Sequence, residues 1–237
     1  MKRILDCRGS DFRNMTKDEL LGAIAEGEGR TIACETIGSI MPMLGDVTNA
    51  EFAASMGADI LLLNMFDVQE PVIRGLPAVP PENTVRKLKE LTGRPIGINL
   101  EPVEQVLSSE NPEENMWAMT SGRKATLENA KKAAEMGVNF ILLTGNPGIG
   151  VTNTAIVQTL KLYKQELGDK LIFIGPIDAQ MVSMPDVPVE KLIAETKRCL
   201  DVFAPCHSII FDAGTFDPAK MGPMLQTFYQ ERGKYFA

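Results

Sequence analysis

At 237 residues, 44% of them hydrophobic, the chain can bury one large core, and α/β barrels commonly run to this length. A net charge of −7 and a sequence pI near 4.9 argue against nucleic-acid or anionic-membrane binding, leaving a small anionic metabolite in a locally positive pocket as the expected partner. No apolar run approaches the roughly 20 residues of a membrane helix, and the opening MKRILDCRGSDF turns polar too soon for a signal peptide, so a cytoplasmic location is expected.

In chain order, a short apolar piece at 3–6 is followed by a helix over 17–26 that Thr16 can cap. Strands are predicted over 31–35, 60–64, 95–100, 140–144, 171–175 and 208–212. Helices are predicted over 49–56, 83–91, 127–136, 153–166 and 189–203, with a last one over 221–232. Strands alternating with helices imply a parallel sheet with right-handed crossovers. No linker or charge block divides the chain, so one domain over 1–237 is expected. The long irregular stretches 67–82, 102–124 and 177–188 all follow strands, where loops of that length carry function.

An internal repeat sharpens the architecture. Residues 49–64, NAEFAASMGADILLLN, match 129–144, NAKKAAEMGVNFILLT, at a constant offset of 80. Each copy reads as a helix ended by glycine and followed by a buried strand. Two copies spaced two βα units apart fit a TIM-type (β/α) barrel, of which six units are clear. A closed barrel of this type needs about eight. Either strands are missed, residues 3–5 supplying one, or the barrel is incomplete and a second copy of the chain covers its edge, which makes a homo-oligomer the expectation.

Between the predicted strand at 140–144 and the helix from 153 lies TGNPGIG, in which Thr144, Gly145, Asn146, Gly148 and Gly150 can turn backbone N–H groups toward an anion. It is neither a Walker A loop nor GxGxxG, and a plain βα turn would read the same way. The cysteines, Cys7, Cys34, Cys199 and Cys206, have no CxxC spacing. His207, the one histidine, stands where a strand begins, on the face opposite to chemistry in such folds.

The carboxyl ends of the predicted strands are polar. Glu35 closes the first, Asn64 and Asp67 the second, Asn99 and Glu101 the third, Thr144 and Asn146 the fourth; Asp178 follows the fifth and Asp212 ends the sixth. Carboxylates converging on one rim repel unless protonated, paired or metal-bound. Oxygen ligands without histidine suit Mg²⁺, with Glu101, Asp178 and Asp212 as its candidate ligands. Glu35, Asn64, Asn99, Glu101, Lys124 and Asp178 are the candidate catalytic residues, Arg123 and Lys124 being the basic pair in the long loop after the third strand. Trp117 in that loop is a candidate lid or contact residue. Glu101 should matter most, either on Mg²⁺ or as a general base; the alternative is a structural glutamate that pairs with Arg123 and pins the loop.

Residues 45–64, GDVTNAEFAASMGADILLLN, together with the acidic strand ends, resemble metal-assisted barrels of the phosphoenolpyruvate mutase and isocitrate lyase kind, and bacterial phosphate-binding barrels grouped with them. That resemblance implies a metal role for Glu101 and an anion role for Arg123 or Lys124. The lyase loop Lys-x-Cys-Gly-His is absent, SGRK at 121–124 offering a base without a cysteine. The string IIFDAGTF at 209–216 resembles the nucleophile motif of haloacid dehalogenase-type phosphatases but lacks its second aspartate. The expected function is a lyase, mutase or isomerase acting on a phosphorylated or carboxylated metabolite; the alternative is a non-catalytic metabolite-binding or assembly barrel.

Overall fold

The computed structural model describes residues 2–103, 119–144, 151, 153–167, 172–174, 181–182, 184–203, 209–210 and 217–234. Strands β1 (Ala33–Ile37), β2 (Ile60–Asn64), β3 (Ile96–Leu100), β4 (Phe140–Leu143), β5 (Ile172–Ile174) and β6 (Ile209–Ile210) form one sheet in the order β1-β2-β3-β4-β5-β6, each neighbouring pair parallel. The helices are α1 (Gly9–Phe12), α2 (Lys17–Ala25), α3 (Asn49–Ser55), α4 (Thr84–Thr92), α5 (Leu127–Met136), α6 (Asn153–Leu167), α7 (Val189–Phe203) and α8 (Pro218–Glu231). Strictly sequential order means the chain winds in one direction, and crossovers of a single hand then lay successive helices on the same face. A doubly wound sheet would instead bury its first strand between later ones. Here β1 lies at an edge, and the repeat strands β2 and β4 lie two positions apart.

Strand alternation divides the side chains between two cores. Leu61, Leu63, Ile96, Ile98, Leu100 and Ile141 meet Ala50, Val85, Leu88, Ala130, Ala133, Met136, Leu160 and Tyr163 from α3 to α6. Each buried leucine or isoleucine is worth about 1.5–3 kcal/mol relative to exposure. The Tyr163 hydroxyl donates to Thr126 O at 2.9 Å, and burial pushes its ionisation well above the ordinary range. On the other face, Ile60 and Phe140 at the amino end of the sheet are covered by Ile4, Cys7, Phe12, Leu20 and Ala23. The α2 helix that closes this end starts on a capping box: Thr16 Oγ1 accepts from Glu19 N, and Glu19 in turn accepts from Thr16 N.

Several expectations are corrected. Residues 3–5 are no missing strand; Ile4–Asp6 is a 3₁₀ turn whose Ile4 side chain joins the amino-end core, held by Arg3 bonding Asp6 at 2.7 Å and by Cys7 N on Ile4 O. Strand β1 begins and ends two residues later than predicted, so Glu35 is its central residue rather than its end. The β-branched Thr36 and Ile37 continue the ladder opposite Leu63 and Asn64, and the strand stops before Gly38. Helix α8 starts at Pro218 rather than 221, proline being suited to a first turn while Asp217 Oδ1 accepts from Ala219 N at 3.0 Å.

The repeat has a structural reason in both copies. Gly57 and Gly137 sit at φ +103 and +93 after α3 and α5. Asn49 accepts from Met43 N, and Asn129 donates to Ser121 O and Lys124 O, so each asparagine ties the loop before its helix. No helix among the described residues is long and apolar enough to cross a membrane.

Candidate functional site

At the carboxyl end of the first three strands, one row of polar side chains crosses the sheet. The register sets Ile37 opposite Asn64 and Leu63 opposite Ile98, which brings Asn64 abreast of Asn99 and one pleat from Glu35. Asn99 Nδ2 donates to Asn64 Oδ1 at 3.0 Å, and Asn64 Nδ2 donates to Glu35 Oε1 at 3.0 Å. Burial deepens along the row, from exposed Glu35 through half-buried Asn64 to Asn99, 3% exposed. At its inner end the Asn99 Oδ1 atom is buried without a hydrogen-bond partner among the described residues. A buried acceptor left unsatisfied costs about 1–3 kcal/mol, so a ligand donor placed there regains that much.

Two backbone features hold the row. Gly97 shares the pleat face of Asn99, and a Cβ on it would come 2.4 Å from Leu62 Cδ2 and 3.0 Å from Phe140 Cβ. Only glycine lets those two side chains fill the floor beneath Asn99. Directly after Asn64, Met65 adopts φ +57, a left-handed conformation costing about 1–2 kcal/mol for a non-glycine residue. Strain of that kind marks a place where the surroundings dictate the backbone.

The second feature of this end is a buried ion pair. Glu101 and Arg123 are 1% and 3% exposed, with Arg123 Nη2 on Glu101 Oε1 at 2.7 Å and Nε on Oε2 at 3.1 Å. The fork is bidentate, and the backbones join as well: Glu101 N donates to Arg123 O and Ala125 N to Glu101 O. The loop carrying Arg123 is locked in turn to the loop after β2. A Cβ on Gly122 would fall 1.7 Å from Asp67 Oδ1, an atom that already accepts from Gln69 N and Glu70 N. Ser121 Oγ donates to Gln69 Oε1, and Gln69 Nε2 donates to Asn129 Oδ1. Reading the sequence alone missed this lock; the local signals available were the Asp67-x-Gln69 turn and the glycine of SGRK.

The structure therefore gathers Glu35, Asn64 and Asn99 into one hydrogen-bonded row and couples Glu101 to Arg123. Lys124 lines a small cleft of about 110 Å³ with Pro102, Val103, Ala155, Gln158 and Thr159, beside α6. Thr144, half-buried just past β4, donates its backbone N–H to Leu100 O at 3.2 Å. Asp178 and Asp212, the loop residues Gly145, Asn146, Gly148 and Gly150, and also Trp117, Cys206 and His207, lie outside the described residues. Among the described residues no three His, Cys, Asp or Glu side chains stand together as a metal site, and both Glu101 oxygens accept from Arg123. The described residues thus do not by themselves form a Mg²⁺ site.

No curated protein matches the chain. Among solved structures it is similar to 2,3-dimethylmalate lyase, a PEP mutase/isocitrate lyase superfamily member, at 11% identity over 90% of this chain and 66% of that one, with a TM-score of 0.48. It is also similar to a Burkholderia cenocepacia J2315 protein described as a phosphonomutase, at 14% identity over 89% of this chain and 79% of that one, with a TM-score of 0.47. A third similar structure is 7,8-dihydropteroate synthase from Vibrio fischeri ES114, at 15% identity over 90% of this chain and 73% of that one, with a TM-score of 0.41. The family described as Domain of unknown function (DUF7916) matches residues 5–205, and the chain belongs to that family.

Proposed function

We propose that the sheet is the wall of an incomplete (β/α) barrel whose carboxyl-end mouth binds a small carboxylated or phosphorylated metabolite and acts on it as a lyase, mutase or isomerase. The observation that carries this reading is the unpartnered Asn99 Oδ1, buried at the inner end of the Glu35–Asn64–Asn99 row. Its missing partner is a donor, such as a substrate hydroxyl. Glu35, at the exposed end of the row, is the carboxylate placed to take or return a proton, and the amide of Asn64 fixes its direction. Mg²⁺ belongs to the same proposal, with Asp178 and Asp212 joining Glu101; when bound it would supply charge for a developing oxyanion. The loop with Gly145, Gly148 and Gly150 is the proposed seat for the substrate's anionic group.

A second reading, a metabolite-binding barrel without catalysis, is favoured by one observation. A carboxylate held by both oxygens on a buried arginine is already neutralised, which suits a structural Glu101. Titration of MgCl₂ with and without malate, a small dicarboxylate that carries a hydroxyl donor, tests the readings by thermal melting. The enzyme reading expects joint stabilisation, lost in Glu101→Gln for its metal-dependent part. No response of the wild type to either would sink it, and a malate response indifferent to Mg²⁺ would leave the non-catalytic barrel.

A further inference from the structure

At the opposite end of the sheet, before β3 and β4, a cleft of about 530 Å³ opens between the amino-terminal segment and α4. Its size lies within the range of about 300–1,000 Å³ usual for small-ligand pockets. Arg13, Arg86, Lys89 and Arg94 line it, with Glu90 as its one carboxylate among the described residues. Glu90 is turned to Lys87, at 3.1 Å, and none of the four lining cations is ion-paired among the described residues. Their hydrogen bonds go to neutral acceptors. Lys89 Nζ donates to Gly137 O at 2.9 Å, Arg94 Nε to Ala58 O at 2.9 Å, and Arg86 to Glu135 O and Asn83 Oδ1. Arg13 makes no hydrogen bond among the described residues.

Carbonyls at helix ends orient these cations without cancelling their charge. Lys89 feels the consequence, since burial lowers its ammonium pKa and the nearby Arg86 lowers it further. Four like charges thus gather around one cleft in a chain whose net charge is −7. The walls are also kept bare: a Cβ on Gly9 would stand 3.0 Å from Gly93 Cα, and Gly93 itself is at φ +61. From this convergence of unpaired cations on one cleft, we infer that the amino end of the sheet holds a second site, for a compact polyanion carrying phosphate groups. Guanidinium forks from Arg13, Arg86 and Arg94 would clamp its oxygens, while Lys89 supplies a point charge.

Calorimetric titration with inorganic pyrophosphate, in Mg²⁺-free buffer at constant ionic strength, tests this site apart from the mouth. The expected result is one equivalent bound per chain, weakened about tenfold by Arg13→Gln or Arg94→Gln. Loss is expected when Lys89→Met and Arg94→Gln are combined. Asn99→Leu, at the other end of the sheet, should leave pyrophosphate binding unchanged, so failure of the mouth proposal and failure of this one read differently. Arg13 anchors no backbone group among the described residues, which keeps its variant informative if the others unfold. Absence of binding at millimolar pyrophosphate, equal displacement by sulfate at the same ionic strength, indifference to Arg13→Gln, or loss in Asn99→Leu would each overturn the assignment.

Discussion

The two ends of the sheet satisfy their polar groups in opposite ways. At the carboxyl end the buried charges of Glu101 and Arg123 cancel within a bidentate pair, and what remains unmet among the described residues is neutral, Asn99 Oδ1 and the Thr36 hydroxyl. At the amino end the hydrogen bonds are largely met by carbonyls, and what remains unmet is charge, on Arg13, Arg86, Lys89 and Arg94. A paired charge holds a fold together, whereas an unmet group indicates where something else belongs. By that measure Glu101, the residue expected to matter most for chemistry, is first of all the anchor of its loop. Asn99 becomes the better marker of the mouth.

Breaking the anchor should give the largest effect. Arg123→Met leaves the Glu101 carboxylate buried and uncompensated, and urea denaturation should show a loss of about 3–5 kcal/mol. Removing both charges, in Glu101→Gln with Arg123→Met, should restore much of it; no recovery would mean that backbone contacts rather than charge dominate the pair. Next in size is Gly122→Ala, whose new methyl must displace Asp67 from the turn it caps. The expected cost is about 1–3 kcal/mol, and a neutral result would show that the two loops are not locked as described.

The smallest effect is a pH dependence at the amino end. Unfolded Lys89 titrates at its ordinary 10.5, while the folded value is lowered by burial and then by Arg86. Between the two values the unfolded chain binds more protons, so stability gains with rising pH, fully present only above 10.5. The stability of wild type minus that of Lys89→Met should therefore climb as pH rises from neutrality toward that value. A flat difference would contradict a desolvated ammonium in the cleft.

How much of this was legible in the sequence depends on how local each signal is. Runs such as Ile60–Asn64 and Phe140–Leu143, bounded by Gly57 and Gly137, declare buried strands within a few residues. The placement of Asn64 and Asn99 at neighbouring strand ends followed from that register. Glu35 misled because a charged residue resembles a strand end, although Thr36 and Ile37 carry the β-branched signal onward. The Glu101–Arg123 pair was an open alternative, since both residues were legible and only their distance was not. The basic cleft gave no sequence signal at all. Its residues run from Gly9 to Gly137, and on α4 alone Arg86, Lys89 and Glu90 read as a solvated face.

The most direct test of the account compares Asn99→Leu with wild type in two measurements on the same samples: unfolding free energy without ligand, and thermal stabilisation by malate with MgCl₂. An orphaned acceptor is unfavourable in the empty protein, so leucine should change stability by less than about 1 kcal/mol, losing the bond to Asn64 but also the unmet oxygen, while the stabilisation by malate, whose hydroxyl is the donor that oxygen lacks, disappears. A loss of several kcal/mol with the malate response intact would make Asn99 a structural residue and contradict the mouth as a ligand site.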